Sequence, residues 1–108
     1  MENDRIVFMQ RNKTLIACIG CEIDHHTAKG LREQIDRQLF IKKPDTLVLD
    51  FGSVRFMDSS GLALIIGRAE TARALSASVR LVGLSEPLMK LLALSGIEKI
   101  KNLTVEHN

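Results

Sequence analysis

The sequence predicts an α/β fold, a small mixed β-sheet with helices packed against it, in the order β-β-α-β-α-β-α-β. Three features carry that expectation. Two apolar runs near the start are separated only by Asn12-Lys13, as in an antiparallel hairpin. From residue 24 onward, short β-branched runs alternate with stretches of helical periodicity, the pattern of strand–helix–strand units. Breakers fall between them, at Pro44, Gly52, Pro87 and Gly96. At 108 residues, without repeats or a linker, residues 1–108 read as a single domain.

Residues 5–11 form the first strand, with Ile6 and Phe8 on one face and Val7 and Met9 on the other; residues 14–20 return beside it. Apolar residues on both faces imply a sheet covered, at least in part, on two sides. Asp24-His25-His26-Thr27 opens the first helix, with Asp24 or Thr27 as its cap. Ala28, Leu31, Ile35 and Leu39 recur at helical spacing, leaving Lys29, Arg32, Glu33, Asp36 and Arg37 outside. Gly30 costs that helix about 1 kcal/mol against alanine, unless it serves close packing. Lys42-Lys43-Pro44-Asp45 ends it, and residues 46–51 read as a central strand.

A second helix covers residues 60–75, with Leu62, Ile65, Ile66, Ala69 and Ala72 on its inner stripe. Its outward side, Ala63, Gly67, Glu70 and Ala74, is small enough for another protein's helix to rest on. Residues 79–84 form the next strand. Ser85-Glu86-Pro87 starts a third helix, with Ser as cap and Pro in the first turn, and Gly96 stops it. Residues 97–103 read as a last edge strand.

Between the central strand and the second helix lies Phe56-Met57-Asp58-Ser59-Ser60-Gly61-Leu62. A helix begins with backbone N–H groups that lack partners and with partial positive charge, so a Ser or Asp there can cap it and an anion is welcome. By spacing alone Ser59 and Ser60 read first as caps. Asp58 is a cap, a surface carboxylate, or the group that orients the serine hydroxyl, the last being preferred.

Composition narrows the functional classes. The net charge of +2 is spread along the chain, and phenylalanine is the sole aromatic, which argues against nucleic-acid binding. The opening Met1-Glu2-Asn3-Asp4 does not resemble a signal peptide, and no apolar run nears the ~20 residues of a membrane span. A cytoplasmic protein is expected. Cys18 and Cys21 make a C-x-x-C, but on a strand they point to opposite faces and no second cysteine pair completes a zinc site, so they read as packed thiols. His25-His26 lacks a third ligand at helical spacing and reads as a partner contact rather than a metal site. No metal or other cofactor is expected.

Three segments resemble the STAS family, specifically the anti-sigma factor antagonists of spore-forming bacteria. They are Glu22-Ile23-Asp24-His25-His26-Thr27-Ala28, the junction at residues 56–62 continued by Ile65-Ile66-Gly67-Arg68, and Leu94-Ser95-Gly96-Ile97. The similarity runs from about residue 4 to residue 103. It implies an antagonist that binds an anti-sigma factor, itself a serine kinase, and so frees a sigma factor. The kinase phosphorylates one serine, here Ser59, and the modified antagonist no longer binds; a phosphatase restores it. Ser60 is left as the cap. The expected partner-binding residues are Asp24, His25, His26, Asp58, Ser60, Gly61, Ala63 and Gly67, on a protein monomeric when free. Two departures stand out. Cys21 replaces a glycine the family commonly has, with a steric penalty if that position needs positive φ. Residues 104–108 are too short for the family's final helix.

Two other readings compete. Ser59 could be an enzyme's nucleophile with His25 or His26 as base, but D-S-S-G lacks the G-x-S-x-G elbow. A STAS sensing or scaffold module without an anti-sigma partner is the alternative within the family.

Overall fold

The computed structural model describes residues 5–107; residues 1–4, which the sequence reads as unlike a leader, and residue 108 lie outside the described residues. The hairpin forms as expected from β1 (Ile6–Arg11) and β2 (Thr14–Ile19). Asn12 at its turn takes φ 57°, a left-handed conformation that asparagine tolerates. Then follow α1 (Ala28–Lys42), β3 (Thr46–Asp50), α2 (Ser59–Ala74), β4 (Ser78–Val82), α3 (Glu86–Ser95), a 3-10 turn (Ile97–Lys99) and β5 (Leu103–Val105). The expected order therefore holds.

The strands make one sheet in sequence order, β1 antiparallel to β2 and the other neighbours parallel. Each crossover from β2 onward moves one strand in the same direction. Right-handed connections then put all three helices on one face. Leu15, Ala17, Ile19, Leu47, Leu49, Val79 and Leu81 are buried on that face. Leu31, Ile35 and Leu39 of α1, Ile65, Ala69 and Ala72 of α2, and Leu88 and Leu92 of α3 join them in the same core.

The opposite face corrects the expectation of a doubly covered sheet. Val7 and Met9 there are 55% and 53% exposed, and Arg80 reaches Glu106 across it. Val48 is buried on this face, lying between Ile16 and Arg80 in register. Isolated apolar residues on an open antiparallel edge do not require a second layer.

The last strand also differs from expectation. Gly96 ends α3 in the left-handed conformation at φ 74°, and the chain turns through Ile97–Lys99 before pairing with β4 at Leu103. Buried Ile97 plugs the core inside that turn, so its apolarity mimics a strand start. The Asn102 amide closes the approach, donating to the carbonyls of Ala69 (2.9 Å) and Ala77 (3.1 Å). A β-carbon at Gly30 would meet nothing within 4 Å, so that glycine serves no close packing in α1.

Candidate functional site

Two loops leave the C-terminal ends of adjacent parallel strands, residues 20–27 after β2 and residues 51–58 after β3. They are joined by a short parallel bridge between Ile23 and Met57. The Ile23 N–H donates to the Phe56 carbonyl and the Asp58 N–H donates to the Ile23 carbonyl, each at 3.1 Å. Both side chains are buried, which fixes the bridge to the core. Asp24 and Asp58 follow the two bridged residues directly. Residue spacing gives no reason for these loops to meet, and only the family resemblance implies that they lie at one end of the sheet; the bridge is what joins them.

Asp24 works as the cap of the turn that leads into α1. Its carboxylate accepts from the N–H groups of His26 (2.9 Å) and Thr27 (3.1 Å), while the Thr27 hydroxyl accepts from the Asp24 N–H. The Thr27 N–H is the main cause that holds the Asp24 carboxyl below its usual pKa, helped by the His26 N–H and the two imidazoles. His25 and His26 are exposed and lie with ring centroids 3.9 Å apart. Among the described residues no three His, Cys, Asp or Glu side chains gather as a metal set.

At α2 the structure reverses one expectation. The cap is Asp58, in extended conformation, whose carboxylate accepts from the Ser60 N–H at 2.8 Å. Ser60 is not the cap; it lies inside the first turn and is half-buried. Nor does Asp58 hold a serine hydroxyl: its Oδ1 takes the Ser60 N–H, and no hydrogen bond joins its carboxylate to the hydroxyl of Ser59 or Ser60 among the described residues. Ser59 is thereby the first helical residue, exposed, with no hydrogen bond to its hydroxyl among the described residues. Asp58→Ala should lower stability by about 1 kcal/mol, the usual worth of a cap. Ser60→Ala should stay within about 0.5 kcal/mol. Urea denaturation of the two variants checks the assignment, and the reverse order of effects would return the cap to Ser60.

The expected outward side of α2 is found. Ala63, Glu70 and Ala74 are exposed and Gly67 is half-buried, with open space where a β-carbon would stand. The inner stripe is turned from the expected one: Leu64 and Arg68 are buried, Leu62 is half-buried and Ile66 is 39% exposed. Alanine and glycine around the helix left its apolar side weakly marked. Phe56, 51% exposed just before the junction, is an aromatic that the sequence reading did not assign to the site. An apolar residue between a strand and a cap, outside both periodicities, is the signal that points to it.

Between α1 and α2 runs a groove of about 360 Å³ whose wall includes His25, Lys29, Arg32 and Arg68. Arg68 is 5% exposed, and its Nε lies 2.7 Å from Asp36 Oδ1, close but out of line for an N–H···O bond. Burial pulls the guanidinium pKa down and the Asp36 charge opposes that. Asp36, expected outside α1, therefore turns towards α2.

The two cysteines are free, half-buried thiols. Burial is the main cause that raises both pKa values, and for Cys18 the nearby Asp50 carboxylate adds to it. Cys21 lies beyond the end of β2 rather than on it. Positive φ among the described non-glycine residues is confined to Asn12, Lys43 and Ser76, so Cys21 carries no such penalty.

A family model described as the STAS domain matches residues 5–107. The chain belongs to the STAS family. A STAS relative, the anti-sigma F factor antagonist of Paenibacillus polymyxa, is 32% identical over 98 residues, covering 91% of this chain and 84% of that protein. The anti-sigma-B factor antagonist of Listeria monocytogenes is also 32% identical, over 83% of this chain and 81% of its own length. The solved structure of SpoIIAA in its unphosphorylated form superposes with TM-score 0.72 at 23% identity, covering 95% of this chain and 88% of that one. The phosphorylated form of the Bacillus protein SpoIIAA gives TM-score 0.70 at 25% identity, covering 95% and 92%. The STAS sheet and its three helices thus match the expected architecture. No helix among the described residues is long and apolar enough to cross a membrane.

Proposed function

We propose that this STAS domain is an anti-sigma factor antagonist switched by phosphorylation of Ser59. The observation that carries this reading is the open Ser59 hydroxyl at the start of α2, beside the capping Asp58 and the bridged Asp24 loop. Its partner is an anti-sigma factor that is also a serine kinase. Binding frees a sigma factor, phosphate on Ser59 ends the binding, and a phosphatase restores it. Asp24, His25, His26, Asp58, Ser60, Ala63 and Gly67 form the surface presented to that partner, while Gly61, expected there too, is buried and supports it from beneath. The chain itself catalyses no reaction, needs no cofactor, binds no nucleic acid, and acts in the cytoplasm as a monomer when free.

Incubation with a purified anti-sigma kinase and ATP, followed by mass mapping, tests this reading. One phosphate on Ser59, absent from Ser59→Ala, is expected. Phosphate nowhere on the chain would favour a STAS sensing or scaffold role instead. Ester turnover that vanished with Ser59→Ala would revive a nucleophilic enzyme.

A further inference from the structure

The groove between α1 and α2 carries charge of one sign. Lys29, Arg32 and Arg68 line it, and no acidic residue does. The rest of its lining is largely small and apolar, from Ala28, Ala63, Leu64 and Gly67, with the space over Gly67 unfilled. Within that lining Arg68 is almost wholly buried. Asp36 lies against its Nε at 2.7 Å, and the terminal nitrogens, which are not among the buried unpartnered atoms, make no hydrogen bond among the described residues. The guanidinium charge is partly met by Asp36, which leaves the terminal N–H groups to receive a second carboxylate, the planar double acceptor that fits them. Ser60 stands in the same wall, next in sequence to the open Ser59.

We infer that this groove is the socket for an acidic side chain, aspartate or glutamate, presented with short apolar neighbours by the anti-sigma partner. The inference rests on the anti-sigma reading above and adds the partner's chemistry to it. Lys29 and Arg32, both exposed, steer the acid in, and the buried Arg68 receives it. The switch then acquires a second arm. A phosphate on Ser59 brings about −1.5 to −2 charges to the Ser60 end of the socket; Arg68 stands about 13 Å further along α2, beyond the roughly 8 Å Debye length of physiological salt, so the charge acts at the mouth of the groove. It repels the incoming carboxylate and lowers the positive potential that attracted it.

Calorimetric titration of the purified cognate anti-sigma factor, at low and high salt, tests the socket. Lys29→Ala/Arg32→Ala should weaken binding roughly tenfold and flatten its salt dependence. Lys29→Glu/Arg32→Glu should weaken it by roughly a hundredfold or more, since like charges then face each other. Circular-dichroism melts should stay close to wild type, because both residues are exposed and glutamate is favoured near the start of a helix. Wild-type affinity in the charge reversal, alongside lost binding in Ser59→Glu, would overturn the socket and leave the anti-sigma reading standing. No binding by the unmodified wild type would overturn both. Self-association of the wild type that disappears in the charge reversal would assign the groove to a second copy of the chain, against this inference.

Discussion

Ser59→Glu should weaken binding to an anti-sigma factor by roughly a hundredfold or more, equivalent to about 3 kcal/mol, without unfolding the domain. The two halves of that result have separate causes. Ser59 is the first residue of α2 and points to solvent, so a carboxylate there meets the positive end of the helix dipole. That interaction stabilises by about 0.3–1 kcal/mol at an exposed site. The fold therefore tolerates the charge. An interface shaped around a neutral hydroxyl does not, because it must either desolvate the carboxylate unpaired or open to admit water. Asp58 beside it adds like charge, and its own oxygen is already engaged with the Ser60 N–H.

Such a switch needs little movement. The cap, the first turn and the Ile23–Met57 bridge are all in place with the hydroxyl free. Phosphorylated and unphosphorylated forms should accordingly show the same hydrogen-exchange protection except around residues 56–62 and the facing loop. Protection lost across β4 or α3 would point to a shape change and against direct repulsion. Affinity within threefold of wild type in Ser59→Glu would remove Ser59 from the interface.

The parts of this fold that were legible in the sequence are those set by local chemistry. Ser85 caps α3 by accepting from the Leu88 N–H, and Gly96 stops it in the left-handed conformation, both as their residue types suggest. The buried positions Leu31, Ile35 and Leu39 of α1 follow from period alone. What escaped is what depends on distant partners. Ile97 is buried within a 3-10 turn, and the Asn102 bonds to Ala69 and Ala77, with the Val79 N–H on the Asn102 carbonyl, help to set where β5 begins. Asp36 and Arg68 are charged residues 32 positions apart, and each alone reads as surface. In α2 the cap was contested between Asp58 and two serines of nearly equal preference, and backbone geometry chose the aspartate. The Ile23–Met57 bridge, which makes one site of two loops, joins residues whose local sequence carries no strand signal.

Gly61→Ala should lower stability by about 1–2 kcal/mol, the net of overpacking at about 1–3 kcal/mol against a helix-propensity gain below about 1 kcal/mol. A β-carbon at Gly61 would stand 2.6 Å from Met57 Sδ and 3.0 Å from both Met57 Cβ and Cγ. The sulfur could swing aside, but Cβ is tied to a backbone held by the bridge to Ile23. Either the first turn of α2 shifts or Met57 does. The helix start is held by the Gly61 N–H on the Asp58 carbonyl at 2.9 Å, so a shift there loosens the cap as well. In a chain of this size the loss should appear as a fall in Tm of roughly 5–10 °C. Met57→Ala removes Cγ and Sδ, so in that background Gly61→Ala should cost much less; an equal cost in both would trace the damage elsewhere. Faster amide exchange at Ile23 and Asp58, the two donors of the bridge, should accompany the single substitution. Gly61 thus supports the site from beneath: by leaving Met57 its space, it keeps the Asp24 and Asp58 loops together with Ser59 between them and the solvent.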